Sequence, residues 1–459
     1  MTTRVGLKEG KLNRRDILRL SALGASAALL SRRDDKMLRA ARAADDVTLD
    51  FVWRTTQKEV DFFKDFFKNF EEQNPGTKVR QVYVPIEQYD QKVDLLVAAN
   101  QPPAIWAPNY SRGVRYYASR ERLVELDEFV SRDKYDFSDF YDGTLSLGKW
   151  KDKWVGIPAL VIPMLLVYNK TLFEEAGVEP PPQDWNDKSW TWDALLEKAK
   201  ALTKGKDQYG LVGVADQRYA IRNFGVDYFP QEVQETGYPT EFLGNTPEFT
   251  DALQFWGDLI HEHKVMPSAS EANAMQAGLP NLFMTGKFGM NLMNAGEFEV
   301  FKDIEAFEWG TAPIPWPNNN LPRLNFMYLD HYASIAPQTH GDAAWNLLKQ
   351  LTDPEGQKGY PIGTSGWIAP RKSLADFWVQ QAVESSGQTE ENVRVAVDGL
   401  PHMTPSPGHV TVEWGQYWDK AFKPSLDKFL LGQMDAKSAV AEMQPRFEQV
   451  RDETTPDAS

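Results

Sequence analysis

Five tryptophans lie next to polar residues, at positions that the sequence pattern assigns to strand ends or to loops rich in proline and glycine. They are Trp53, Trp106, Trp316, Trp367 and Trp414. A sugar ring has an apolar face of C–H groups bordered by hydroxyls, so a flat aromatic side chain can cover the face while carboxylate, amide and guanidinium groups bind the hydroxyls. The combination favours carbohydrate binding. Each tryptophan taken alone fits packing in a hydrophobic core equally well, and we expect three of the five to contact a ligand.

The polar partners come from the same short stretches of sequence. We predict a ligand-binding set of Trp53, Arg54 and Gln57; Trp106, Asn109 and Tyr110; Asn291 and Asn294; Asp330; Trp367; and Glu413 with Trp414.

Patterns for covalent catalysis and metal binding are missing from the sequence. The chain has no cysteine, which excludes disulfides, thiolate metal sites and cysteine nucleophiles. His261 and His263 are spaced i,i+2, which places them on different faces of a helix, and neither an HExxH nor a G-x-S-x-G motif occurs. We therefore expect no catalytic residue, metal or cofactor. A secreted glycoside hydrolase is the rival hypothesis, since it would share the aromatic residues and needs only two carboxylates about 5–10 Å apart.

The balance of charge narrows the choice of partner. The 459 residues carry 50 Lys and Arg against 65 Asp and Glu, a net charge of −15. An acidic protein of this kind is a poor partner for nucleic acid or for an anionic membrane surface. It is compatible with an uncharged ligand, and also with simple solubility.

The N-terminus resembles an export signal. Arg14 and Arg15 precede an uncharged run at Leu20–Ser31, which has the length of a signal-peptide core and is too short to span a membrane. The paired arginines are typical of a twin-arginine signal, and a small-x-small site ends at Ala43. We predict that residues 1–43 direct export through the twin-arginine translocase, and that they are either cleaved off or kept as an anchor.

Predicted strands and helices position these candidate ligand-binding residues. Val47–Trp53 is predicted as a strand, Lys58–Glu71 as a helix with phenylalanines at helical spacing, and Lys78–Val84 as a second strand. Such a βαβ unit places its strands side by side and parallel, with ligands beyond their carboxyl ends. A third short strand is predicted to end at Trp106. The apolar run Val155–Val167 contains two prolines, so we predict two short strands, Val155–Ile157 and Leu165–Tyr168, joined by an extended link.

The order of several motifs resembles that of extracellular solute-binding proteins of ABC transporters, family 1, the maltose-binding type. The motifs are FEEQNPGTKV at 70–79, PPAIW at 102–106, VGIPALVIPMLLVYNKTLFEEAGV at 155–178, SWTWDALLEKAKALT at 189–203, LPNLFMTGKFGMNLMNAGEF at 279–298, APIPWP at 312–317, AAWNLLKQLTDPEGQ at 343–357 and SGWIAPRKS at 365–373. Each motif is weak alone, but the ordered set is a strong indication, and the resemblance covers essentially the whole mature chain.

The resemblance implies an α/β, two-lobed periplasmic-binding-protein (type II) fold, with a mainly parallel sheet in each lobe. It assigns residues 44–158 and 317–363 to lobe 1, and residues 164–312 and 369–459 to lobe 2. The chain would cross between the lobes near 158–163, 313–317 and 363–369, where segments rich in proline or glycine would act as a hinge.

The resemblance also implies a function. The exported protein would be a monomer in the periplasm or at the cell surface, and it would close over a sugar or oligosaccharide and deliver it to the permease subunits of an ABC transporter. Other ligands remain open, namely a polyol, a glycerol phosphodiester or a peptide.

Overall fold

The computed structural model describes residues 47–54, 57–108, 112–214, 217–276, 278–318, 320–333 and 340–456. The predicted signal segment, residues 1–43, lies outside these ranges, and so do Asn109 and Tyr110. Within them, no helix combines the length and the apolar character that crossing a membrane requires.

The first sheet is built as the sequence predicts. Strands β1 and β2 pair in parallel along their whole length, β3 pairs in parallel on the other edge of β1, and the strand order is β2-β1-β3. The bounds are β1 Val47–Arg54, β2 Thr77–Val84 and β3 Ile105–Trp106, followed by a hairpin of β4 Lys149–Trp150 and β5 Lys153–Trp154. Trp53 and Trp106 therefore lie at carboxyl ends of neighbouring parallel strands.

The second sheet has the order β10-β6-β8-β7, and β9 also pairs with β6. Its strands are β6 Ile157–Asn169, β7 Tyr209–Val214, β8 Phe288–Asn294, β9 Trp309–Ala312 and β10 Met327–Tyr332. Only β7 and β8 are parallel, whereas β6 is antiparallel to β8, β9 and β10. The predicted mainly parallel arrangement therefore describes the first sheet better than the second.

The helices cover both sheets. They are α1 Gln57–Gln73, α2 Tyr89–Ala98, α3 Gly113–Ala118, α4 Asp127–Asp133, α5 Asp142–Leu145, α6 Lys170–Ala176, α7 Trp192–Leu202, α8 Val233–Thr236, α9 Pro247–His261, α10 Ala269–Met275, α11 Phe298–Phe301, α12 Gly341–Thr352, α13 Pro354–Gln357, α14 Ala375–Ser386, α15 Glu390–Asp398, α16 Pro407–Val410, α17 Trp414–Gln416, α18 Lys423–Leu430 and α19 Ala436–Thr454.

The predicted break inside the run at 155–167 is wrong, because β6 is one continuous strand. Its first half pairs with β10, and its second half pairs with β8 on one side and β9 on the other. The two prolines are tolerated because each lies at an irregular point of the pairing, where the missing N–H donor matters less. Pro158 falls at the register shift opposite His331, and Pro163 falls where β6 changes partners, opposite Met327.

The two largest hydrophobic cores among the described residues each include part of this long strand. The smaller core contains Phe51, Phe67 and Trp345, and the larger contains Leu166, Trp256 and Phe422. Phe326 and Met327 pack in the larger core and Tyr332 in the smaller, so the chain passes between cores along β10. This passage lies later than the crossing predicted at 313–317.

Candidate functional site

Strand β10 carries polar side chains on the face that looks toward the end of β1. Alternate residues of a strand point to the same side, so Tyr328, Asp330 and Tyr332 share one face. The carboxylate of Asp330 accepts a hydrogen bond from Nη2 of Arg54, the last residue of β1, and both residues are buried. A strand of the first sheet and a strand of the second sheet thus each contribute one member of a buried ion pair.

Aromatic rings surround this pair. The ring of Trp53 lies 5.3 Å from that of Tyr332 and 5.3 Å from that of Tyr360, measured between centroids. Tyr360 in turn contacts Trp367 at 6.2 Å. We call the group formed by Trp53, Arg54, Asp330, Tyr332 and Tyr360 the Arg54 pocket.

Several polar atoms of the Arg54 pocket lack partners. Trp53 Nε1, Arg54 Nη1, Tyr332 Oη and Tyr360 Oη are all buried, and none has a hydrogen-bond partner among the residues that the structure describes. Burial raises the pKa of both tyrosines well above the ordinary value, so their hydroxyls stay protonated and can donate. Buried polar groups in folded proteins are nearly always paired, so these donors mark a place where a polar molecule could bind.

Glu59 borders the same pocket from the first turn of α1. It is buried and accepts a hydrogen bond of 3.1 Å from Ser365 Oγ. Its negative charge also contributes to the raised pKa of Tyr332 and Tyr360, which indicates that it lies near both phenols. The pocket therefore combines aromatic faces, donors and carboxylates.

A more open cavity lies between α3 and α17, with a volume of about 430 Å³. Its walls include Arg112, Tyr116, Arg218, Glu413 and Trp418. We call it the Glu413 cavity. A chain of ring contacts connects it to β10, because Tyr219 lies 6.4 Å from Tyr328 and 6.0 Å from Trp414.

A sequence profile described as "Bacterial extracellular solute-binding protein" matches residues 55–358, more than half of the chain. The protein belongs to the bacterial extracellular solute-binding protein family. This membership agrees with the resemblance of the ordered motifs and implies a location outside the cytoplasm.

Known proteins similar to this solute-binding protein include one of Brucella abortus described as a binding protein, which is 25% identical over 335 residues, 70% of this chain and 76% of the relative. Among solved structures, an ABC substrate-binding protein of Listeria monocytogenes in complex with cycloalternan has a TM-score of 0.71 at 22% identity, covering 88% of this chain and 99% of that one. The sugar-binding protein MalE of Xanthomonas citri has a TM-score of 0.71 at 21% identity, covering 89% and 98%. The predicted two-lobed type II fold is confirmed.

In this solute-binding protein, three of the candidate tryptophans pack inside hydrophobic clusters, namely Trp53, Trp106 and Trp414. Trp53 is fully buried and stacks on Phe51 at 5.6 Å. Trp106 is fully buried and meets the edge of Tyr117 at 4.4 Å. Trp414 is 1% exposed and packs on Tyr228 at 5.3 Å. Truncating Trp414 would therefore leave a cavity among aromatic rings.

Trp316 and Trp367 keep part of their surface exposed. The guanidinium of Arg323 lies 4.0 Å from the ring centroid of Trp316, which places Trp316 in a separate part of the larger lobe. Trp367 lies beside Gly296, since a side chain there would meet the indole at 3.0 Å.

The two candidate asparagines, Asn291 and Asn294, both lie on β8. Asn294 Oδ1 accepts a hydrogen bond of 3.0 Å from the backbone N–H of Gly296, which keeps the chain next to Trp367. Asn291 Nδ2 donates to Asn281 Oδ1 at 3.2 Å, and Asn281 also donates to Glu297. Burial raises the pKa of Glu297. These amides already have partners within the lobe.

Glu413 is paired as well. Its carboxylate accepts a hydrogen bond from Arg120 and another of 2.9 Å from Gln416 Nε2. Among the remaining candidate ligand-binding residues, Gln57 is the first residue of α1. The structure thus unites Trp53, Arg54 and Asp330, brings Asn294 close to Trp367, and puts Glu413 and Trp414 at a second location.

Sequence reasoning missed Glu59, Tyr332, Tyr360 and Arg120. Tyr332 could have been found, because MYLDHY alternates as a strand does and places it on the face of Asp330. Tyr360 lies in the irregular segment KGYPIG, whose residues show neither a helical nor a strand-like hydrophobic pattern from which its orientation could be predicted. No cluster of histidine, aspartate or glutamate suited to a metal ion occurs in the described ranges.

Proposed function

We propose that this solute-binding protein is the exported sugar-binding component of an ABC importer. It captures a sugar or oligosaccharide between its lobes and presents the closed form to membrane permease subunits. Two structural relatives named above support a carbohydrate ligand, one in complex with cycloalternan and one described as sugar-binding. Binding requires no covalent step, so the protein acts without catalysis.

The observation that carries this proposal is the composition of the Arg54 pocket. It offers N–H and O–H donors that have no partner in the described part of the chain, and the partly exposed indole of Trp367 lies beside Tyr360. A sugar ring supplies both complements, a C–H face for the aromatic ring and oxygen acceptors for the donors. The Arg54–Asp330 pair balances its own charge, which favours a neutral ligand over an anion such as a phosphodiester.

We assign the main ligand contacts to Trp53, Arg54, Asp330 and Trp367, joined by Tyr332 and Tyr360. Gln57, Asn109, Tyr110, Asn291 and Asn294 remain proposed contacts from their positions in the sequence. Trp106 supports the strand end beside Trp53, and Glu413 and Trp414 lie at the second location. The proposed lobes follow the two cores, and strands β6 and β10 form the hinge between them.

Export through the twin-arginine translocase, directed by residues 1–43, would bring the protein to the periplasm or the cell surface as a monomer. Fusing residues 1–50 to a reporter that folds before export would test this step. Export should require Arg14 and Arg15, and a reporter that leaves the cytoplasm equally well with two lysines in their place would contradict it.

A thermal-shift screen tests the binding function. Neutral mono-, di- and trisaccharides, including maltose, should raise the melting temperature, because a ligand at 100 times its Kd stabilises the native state by about 2.7 kcal/mol. A screen without any shift would contradict sugar binding. Chromatography of the incubated sugars distinguishes binding from hydrolysis, since release of shorter sugars would favour the glycoside hydrolase hypothesis.

A further inference from the structure

Two ion pairs join the lobes at separate places along the cleft. Arg120, just after α3 in the smaller lobe, pairs with Glu413 of the larger lobe. Lys58, in the first turn of α1, reaches Glu299 of α11 at 2.7 Å. Neither pair lies inside a lobe, so moving the lobes apart would break both contacts.

The Arg120–Glu413 pair is held in place on both sides. Arg120 Nη1 donates to the carbonyl of Tyr116 at 2.8 Å, and its guanidinium lies 3.8 Å from the centroid of the Tyr116 ring. The side chain of Glu413 is only 12% exposed. A fixed, partly desolvated pair interacts more strongly than a freely exposed one, because less water screens the charges and less side-chain entropy is lost.

The Lys58–Glu299 pair is weaker. The side chains are 67% and 36% exposed, and Lys302 also approaches Glu299, at 3.8 Å. A pair of this kind contributes little, and salt screens it readily. The two contacts therefore form a graded set, with Arg120–Glu413 as the dominant member.

We propose that Arg120 and Glu413, assisted by Lys58 and Glu299, are positioning residues that favour the closed arrangement of the lobes. A ligand can shift an open–closed equilibrium only by its preference for one state, and its apparent affinity scales with the population of the competent state. Affinity for an uncharged sugar then depends on ionic strength, although the sugar carries no charge. The proposal rests on the sugar binding proposed above.

Calorimetric titration of a neutral sugar from the screen tests this directly. For the wild type, we expect the affinity to fall about three- to tenfold between about 20 mM and about 500 mM NaCl, where the Debye length shrinks from roughly 20 Å to roughly 4 Å. Glu413→Gln and Arg120→Gln should each lower the affinity at low salt and remove most of the salt dependence. A charge-swapped double variant, Arg120→Glu with Glu413→Arg, should recover part of both.

The matched control is an ion pair within one lobe. Lys78 and Glu71 pair at 2.7 Å with side-chain exposures of 60% and 22%, and both belong to the smaller lobe. Glu71→Gln should leave the affinity and its salt dependence unchanged. Wild-type binding that does not respond to salt, or a Glu413→Gln variant that behaves like Glu71→Gln, would overturn the proposal.

Small-angle X-ray scattering of the ligand-free protein keeps this test independent of the sugar. The radius of gyration should rise with salt in the wild type and should already be raised at low salt in Glu413→Gln. If no sugar binds but this rise occurs, the proposed function fails and the inter-lobe contact stands. If sugar binds and the radius is the same in every variant, the contact has no such role.

Discussion

The Arg54 pocket, whose aromatic rings pack in the smaller core, and the Glu413 cavity differ in how much water reaches them. In the pocket, the side chains of Arg54 and Asp330 are 10% and 4% exposed. Glu413, which lines the cavity, is 12% exposed, and its partner Arg120 is 38% exposed. Charges interact more strongly where water is excluded, and an unpaired charge costs more there. Substitutions in the pocket should therefore change the free energy of unfolding and the sugar affinity more than substitutions at the cavity do.

Removing one charge from the pocket should have the largest effect. Asp330→Ala leaves Arg54 buried without its carboxylate, and we expect the free energy of unfolding to fall by about 3–5 kcal/mol. Urea denaturation followed by circular dichroism measures this loss.

An exposed pair on the same strand provides the control. Asp50 binds Arg80 at 2.7 Å across β1 and β2, and the side chain of Arg80 is 66% exposed. Asp50→Ala should cost less than about 1 kcal/mol. Equal losses for the two variants would mean that burial does not separate the two regions.

Trp414 and Trp367 allow the same comparison between a buried and a partly exposed position, here for apolar contacts. Trp414→Ala should lower the free energy of unfolding by about 3–5 kcal/mol, because its ring is enclosed by other rings. Trp367→Ala removes a partly exposed ring, so it should cost about 1–2 kcal/mol of stability and lower sugar affinity instead. Denaturation and calorimetry on the two variants check this, and an unfolded Trp367→Ala protein would contradict the assignment of Trp367 to the ligand.

These tryptophans also show which features of the fold and the site could be predicted from the sequence. The parallel βαβ unit and the strand ends at Trp53 and Trp106 were predictable, since they follow from local periodicity. Whether a tryptophan at such an end faces ligand or core depends on residues far along the chain, such as Tyr228 behind Trp414. The Arg54–Asp330 pair spans 276 positions of sequence, and no local pattern encodes it.

Two buried histidines hold the hinge strand β10 and make its stability depend on pH. His331 Nε2 donates to the carbonyl of Thr144 at 3.0 Å, and His409 Nε2 donates to that of Leu329 at 2.9 Å, so both histidines hold β10. Burial, with the charges of Arg115 and Arg222 nearby, lowers the pKa of His331 to about 3 and that of His409 to about 4.

Because the folded pKa values lie below the unfolded value, the stabilisation is complete above about pH 6.5 and is lost as the pH falls toward the folded values. Between about pH 6 and about pH 5, the free energy of unfolding should fall by about 2 kcal/mol. Urea midpoints across this range measure the slope, which His409→Gln should roughly halve. An unchanged slope in that variant would show that the histidines are not the groups that titrate.

The smallest expected change tests the pocket most directly. Tyr360→Phe removes one hydroxyl that has no partner in the described residues and keeps the ring against Trp53. Removing an unpaired polar atom should leave the free energy of unfolding unchanged within about 0.5 kcal/mol, or raise it slightly. If the hydroxyl binds the ligand, sugar affinity should fall by about 0.5–1.5 kcal/mol, the net worth of one hydrogen bond.

Tyr417→Phe is the matched control, because its hydroxyl contacts Thr454 Oγ1 at 3.1 Å, away from the pocket. That variant should lose some stability and no affinity, the reverse of Tyr360→Phe. Calorimetry and denaturation on both variants separate the two outcomes. Unchanged affinity in Tyr360→Phe would remove this hydroxyl from the binding site, and a loss of stability there would mean that the phenol is satisfied within the protein.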